Sequence, residues 1–233
     1  MKFCIFRKKG MDMTKPKAFI FDLNGTMIDD MGYHAVAWSS VLNDDLKAGL
    51  TQEQVKLQMY GKNSELLDRV FGKSHFTAQQ VEEISMRKEH RYQKDYLEHM
   101  KLIDGLSGFF DKAVQQDIKM AIGSAAIPFN INYILDNLDL HRYFGAIVSA
   151  DDVIVSKPDP ETFLKAASLL GVEPATCVVF EDAPKGVEAA QNAGMKAVVL
   201  TTMHAREDFS QYTNVLAFVS DYTDPQLAVL FEG

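Results

Sequence analysis

Asp22 ends a short apolar run, Ala18-Phe19-Ile20-Phe21-Asp22, and is followed at once by Leu23-Asn24-Gly25-Thr26. A carboxylate in such a place can attack phosphorus and split one hard hydrolysis into two easier transfers. It would have to approach a dianion, which calls for a hard divalent cation between the two. Mg²⁺ is usually held by one or two carboxylates with waters and a phosphate oxygen. Glu181 and Asp182, in the run Glu181-Asp182-Ala183-Pro184-Lys185-Gly186, can join Asp22 as oxygen ligands. Lys157, in Ser156-Lys157-Pro158, and the Ser124 hydroxyl can neutralise and hydrogen-bond transferring oxygens. Backbone N–H groups at Asn24–Thr26 and Ser124–Ala126 can do the same, which makes Gly25, Thr26 and Ala125 candidate substrate-binding residues. Gly25 also lets the main chain turn sharply and come close to a ligand.

These groups need a scaffold that brings them together. Besides Ala18–Asp22, short apolar runs occur at Ile118–Gly123, Ala146–Ser149, Cys177–Phe180, Ala197–Leu200 and Leu216–Val219. Segments of helix length separate them, the pattern of a parallel sheet covered on both faces. Ile131, Ile134, Leu135 and Leu138 keep the spacing of one apolar helix face. Asp159 and Pro160 read as an N-cap and first-turn pair, with Phe163, Ala166, Ala167 and Leu170 as the stripe that follows. Gly171 and Gly194 fall where helices should stop. The expected fold is α/β, a Rossmann-like doubly wound parallel sheet. In such sheets ligands bind beyond the carboxyl ends of the strands, and that rim is where the chemical residues lie.

Between Asp29 and Met100 the rhythm changes and no strand is expected. Thr51 with Gln54, and Thr77 with Gln80, read as capping boxes. Tyr33, Val36, Ala37 and Val41 form one apolar face, and Leu66, Leu67 and Val70 another. The segment from Thr77 onward carries Glu82, Glu83, Arg87, Lys88, Glu89, Lys94 and Asp95, which reads as a solvated face. The expected organisation is a core of residues 14–30 and 101–233 and an inserted all-helical cap of 31–100. Residues 1–13 read as an N-terminal extension, with Met11 and Met13 as alternative starts.

With 233 residues the chain can bury a sizeable core. A net charge of −8 argues against nucleic acid or an anionic membrane as partner, because both attract basic surfaces. It leaves room for a small anionic substrate, since a metal and a few lysines can reverse the field inside a cleft. Two cysteines, Cys4 in the extension and Cys177 in a strand, offer no disulfide framework, so a reducing cytoplasm is expected. No apolar stretch reaches the roughly 18 residues that span a bilayer. The scattered His75, His90, His99, His141 and His204 show no zinc spacing.

Taken together, D-L-N-G-T, Ser124, S-K-P-D-P and E-D-A-P-K-G resemble the four ordered motifs of the haloacid dehalogenase-like superfamily. The pattern Asp29, His34, Ala37, Trp38 resembles its β-phosphoglucomutase-type subfamily with a helical cap. The resemblance runs from Lys17 to Thr202. It implies that Asp22 is the nucleophile, and that Asp22, the Asn24 main-chain carbonyl and Asp182 bind Mg²⁺. Glu181 becomes a further or outer ligand, and Ser124 and Lys157 hold the phosphoryl group. It also implies that His34 helps close the cap over the site and that Gly61, Lys62 and Asn63 contact substrate from a cap loop. Trp38 reads as core.

Two departures matter. The family's phosphatases and mutases carry a second Asp two residues after the nucleophile, as general acid/base; here that residue is Asn24. An amide cannot donate or take that proton, help typically worth about 10²–10⁴-fold. Three readings remain open: a substrate whose leaving group needs little protonation, such as pyrophosphate or an acyl phosphate; a phospho-ligand binding protein with little turnover; or a knocked-out site. The second departure is the loop after Ser124, Ala125-Ala126-Ile127-Pro128, which lacks the polar run that the resemblance to true β-phosphoglucomutases would require. The expected activity is therefore a phosphatase acting on a small phosphorylated metabolite through an aspartyl-phosphate, with a phosphomutase as the alternative. The expected state is a monomer or weak homodimer.

Overall fold

The computed structural model describes residues 15–232, and the expected extension lies outside them. Six strands form one wholly parallel sheet: β1 (Ala18–Phe21), β2 (Lys119–Gly123), β3 (Ala146–Val148), β4 (Cys177–Glu181), β5 (Lys196–Leu200) and β6 (Val215–Val219). Their order is β3-β2-β1-β4-β5-β6, so the chain reverses its direction of travel between β1 and β4. The helices are α1 (Met31–Ser39), α2 (Gln52–Gln58), α3 (Asn63–Phe71), α4 (Ala78–Tyr96), α5 (Leu106–Gln115), α6 (Pro128–Asn137), α7 (Glu161–Leu170) and α8 (Pro184–Asn192). This is the doubly wound Rossmann-like core expected above, with a block of helices between β1 and β2.

Alternation along β1 builds two layers at once. Phe19 and Phe21 point to one face, where they meet Phe109 and Phe110 of α5 and Phe180. Ala18 and Ile20 point to the other, against Phe163 and Ala166 of α7 and Val187 of α8. A buried central strand needs apolar residues on both sides, which is why A-F-I-F reads as a continuous apolar run. Trp38, Val41, Leu42, Val55, Leu66, Leu67 and Ile84 form a third cluster inside the inserted helices.

Both capping boxes form, Thr51 accepting from the Gln54 N–H and Thr77 from the Gln80 N–H. Three details depart from expectation. Helix α7 starts at Glu161 with Pro160 as its cap residue, and Asp159 still accepts the Glu161 N–H at 2.9 Å. On α1, Val36 is 55% exposed, and the face turned inward is His34, Ala37 and Trp38. On α4, Lys88 and Glu89 are buried, because Ile84, Lys88, Tyr92 and Tyr96 recur every fourth residue along the inward stripe.

Phe19 is fully buried and touches four other rings. Phe19→Ala should cost about 3–5 kcal/mol of unfolding free energy; urea titration of the variant against the wild type measures it.

Candidate active site

The reversal between β1 and β4 decides what stands at the rim. Phe21 pairs with Phe180, and the Asp22 N–H donates to the Phe180 carbonyl at 2.9 Å. Asp22 therefore emerges beside Glu181 and Asp182 although the chain between them is long. Gly25 turns with φ +75°, and a Cβ there would run into the Asp182 carboxylate. Only a glycine lets the loop after β1 close this tightly on the end of β4. The Thr26 hydroxyl donates to Asp182 Oδ1 at 3.3 Å.

Lys157 reaches in from the loop before α7 and its Nζ donates to Asp22 Oδ1 and to Glu181 Oε1, both at 2.7 Å. Glu181 spends its other oxygen on the N–H groups of Asp182 and Ala183, each at 2.9 Å. As placed, Glu181 anchors the lysine and the turn into α8, which leaves Asp22 and Asp182 as the carboxylates that could hold a cation. Ser124 is buried at the end of β2, where its N–H donates to the Val148 carbonyl and its Oγ accepts the Ala126 N–H at 3.2 Å. Ala125 lines the same cavity.

The charges here do not balance. Burial raises the Asp22 carboxyl, Lys157 lowers it, and Glu181 raises it again, leaving it pushed up to about 7. Burial, then Glu181 and Asp22, hold Asp182 well above the carboxylate range. Burial would depress Lys157, but the two carboxylates outweigh it and hold the ammonium charged. No group of three His, Cys, Asp or Glu side chains is arranged to hold an ion among the described residues. Magnesium does not need one: two hard carboxylates short of a counter-charge, with room for waters and a phosphate oxygen, suit it.

The inserted helices complete the site over a cavity of about 350 Å³. Asn24 lines it; its amide donates to Asp30 Oδ2 at 2.6 Å and its Nδ2 lies 3.0 Å from His34 Nε2. His34 Nδ1 lies 2.6 Å from Lys88 Nζ, and Lys88 donates to Glu89 at 2.9 Å. Asn63 of α3 and Asn130 of α6 donate to the two oxygens of Glu89 at 2.7 and 2.6 Å. Gly61, Lys62 and Asn63 all line the cavity, but the Lys62 ammonium is engaged by the Val153 carbonyl at 2.6 Å, and Asn63 by Glu89. Those bonds hold the cap loop to its surroundings, and each side chain keeps further hydrogens for a ligand. Gly25 and Thr26 shape the loop from beneath.

Asp30, Lys88, Glu89 and Asn130 were not among the expected site residues. The four-residue recurrence on α4 and the i, i+4 pairing of Asp30 with His34 were the available signals. Asn130 carried none.

The raised carboxyls give a signed pH dependence. Below the ordinary Asp value of 3.8, Asp22 is protonated folded and unfolded alike and contributes nothing. Between there and about 7 the folded state binds the extra proton, so metal-free protein should lose stability as pH rises through this window. Above about 7 the whole cost is present. Thermal melts of chelated protein should show that fall, it should shrink in Asp22→Asn, and Mg²⁺ should raise the melting temperature more above pH 7 than below it.

The sequence pattern described as "Haloacid dehalogenase-like hydrolase" matches residues 19–200. A fructose-1-phosphate phosphatase of Escherichia coli is 32% identical over 183 residues, 77% of this chain and 93% of its own. A β-phosphoglucomutase of Bacillus subtilis is 32% identical over 197 residues, 78% of this chain and 82% of its own. The crystal structure of a β-phosphoglucomutase from Clostridium difficile has the same fold, with a TM-score of 0.79 at 23% identity over 93% of this chain and 97% of that one. These matches make the chain a member of the haloacid dehalogenase-like hydrolase family, in its β-phosphoglucomutase-type branch.

Proposed function

We propose that this protein is a Mg²⁺-dependent phosphoric monoester hydrolase that moves the phosphoryl group of a small metabolite onto Asp22 and then onto water. The observation that carries the reading is the Asp22 carboxylate itself, buried at the carboxyl end of the central strand, gripped by Lys157 and facing Asp182 under a helical cap. Asp22, Asp182 and the Asn24 main-chain carbonyl would hold the cation, which when bound supplies the positive charge that lets an anionic nucleophile meet a phosphate. Lys157 keeps Asp22 in one orientation and offers its remaining hydrogen to a phosphoryl oxygen. The Ser124 hydroxyl and the N–H groups of Asn24 and Ala125 would present donors to the other oxygens, those of Gly25, Thr26, Ser124 and Ala126 being spent on Ile28, Leu23, Val148 and the Ser124 Oγ. The helices of residues 31–100 act as a lid, and their closure removes bulk water and strengthens these interactions.

The relatives include both a phosphatase and a mutase. The loop after Ser124 favours hydrolysis. Ala125, Ala126 and Ile127 bring no polar side chain to grip the second phosphate of a bisphosphate, and Ala126 packs against the main apolar core.

Asp22→Asn should lower phosphate release by several orders of magnitude on every monoester that the wild type accepts, with the fold retained by circular dichroism. Chelation should stop the wild type, and added Mg²⁺ should restore it. Full turnover by Asp22→Asn, or by the chelated protein, would remove the basis of this reading.

A further inference from the structure

The orientation of the Asn24 amide is fixed by its neighbours. Asp30 is fully buried, and its Oδ2 accepts the Tyr92 hydroxyl at 2.5 Å as well as the Asn24 amide at 2.6 Å. Burial, and then the Asp30 charge, push the Tyr92 hydroxyl far above its ordinary range, so it stays a donor. Turning the amide over would put Asn24 Oδ1 against that carboxylate oxygen with no water to relieve the repulsion, and would forfeit a charge-assisted hydrogen bond. The amide nitrogen is thus turned inward, and the carbonyl oxygen of Asn24 is left for the cavity. That oxygen accepts hydrogen bonds and gives none.

The neighbours do not fill the gap. His34 is turned into the protein at both ring nitrogens: Nδ1 accepts from the Lys88 ammonium at 2.6 Å, and Nε2–H lies 3.3 Å from Asp30 Oδ2. Lys157 is held charged between Asp22 and Glu181, and it is the one side chain hydrogen-bonded to Asp22 among the described residues. A leaving oxygen at this rim therefore meets an acceptor where a proton donor would be needed.

We propose that the substrate is an activated phosphoryl donor, an enol or aryl monoester or, in place of a monoester, an acyl phosphate or phosphoanhydride, whose leaving oxygen departs as an anion. This rests on Asp22 being the nucleophile. In the first step a bond forms from Asp22 to phosphorus while the bond from phosphorus to the leaving oxygen breaks, and the electron pair leaves on that oxygen. In the second a water oxygen bonds to phosphorus as the bond to Asp22 breaks. Both water hydrogens depart on the product as H₂PO₄⁻. Neither step asks Asn24 for a proton.

The test is a series of Mg²⁺-loaded reactions with acetyl phosphate, 4-nitrophenyl phosphate, phenyl phosphate and simple alkyl phosphates, read as kcat/KM. A second arm exchanges the two groups in the double variant Asn24→Asp, Asp30→Asn, which keeps an amide–carboxylate pair and turns the carboxylate to the cavity. The wild type should prefer the activated donors over alkyl phosphates by about 10²–10⁴-fold, the usual worth of a general acid. The exchanged variant should lose most of that preference by gaining on alkyl phosphates. Equal use of alkyl and activated donors by the wild type overturns the proposal while leaving Asp22-dependent hydrolysis standing. Equal gains on both classes in the variant overturn it as well. No turnover of any donor overturns this inference and the function above together. If the variant does not fold, the wild-type series decides alone.

Discussion

Three carboxylates and one ammonium share a buried rim, and the rest of the molecule is arranged around that imbalance. At an effective dielectric of about 20, unit charges about 4 Å apart interact by about 4 kcal/mol, so one lysine cannot offset three ionised acids. Lys157 bridges two of them, Asp22 and Glu181. Asp22 and Asp182 carry what is left as raised proton affinities. A divalent cation would relieve that excess of negative charge, and an anionic nucleophile needs the same cation in order to meet a phosphate. The sheet order makes the meeting unavoidable, because β1 and β4 are neighbours and each ends in an acid.

A second buried polar chain runs away from this rim through Asn24, Asp30, His34, Lys88 and Glu89 to Asn130 of the core. It crosses from the loop after β1 into the inserted helices and back to α6. Burying so many polar groups is costly unless each finds a partner. Most do; Asp30 Oδ1 is without one among the described residues, a defect of the order of 1–3 kcal/mol. What the chain gains is direction. It holds the lid to the core and fixes which atom Asn24 shows to the cavity. Leu57, Met59, Tyr60 and Met203 add apolar surface to the cavity.

Much of this was legible from the residues. The strands stand out because a doubly covered sheet tolerates little but short apolar runs, and the turn residues after β1 and β4 mark the rim. Thr51 and Thr77 mark helix starts because their side-chain oxygens serve N–H groups that no earlier turn can reach. In the charged stretch of α4, Glu82, Glu83, Arg87, Lys94 and Asp95 are exposed as expected, while Lys88 and Glu89 depart from it because a count of charges says nothing about facing. Only the position of Lys88 between Ile84 and Tyr92 reveals that it is buried. Val36 was misread for the converse reason: an apolar residue on an amphipathic helix is not obliged to face inward. Asp30 was hidden by its neighbour Asp29, which carries the recognisable pattern but is exposed. The engagement of Lys62 by Val153 has no local signal, since it depends on how the lid meets the core.

Where the phosphoryl group goes decides whether Asp22 is the nucleophile. Acid quenching during the first turnover of acetyl phosphate, followed by peptide mass spectrometry, reads that position directly. The structure predicts one added phosphoryl group on the peptide that contains Asp22, forming and decaying at the rate of phosphate release. A phosphoryl group carried by any other residue, at the same rate of release, would contradict it.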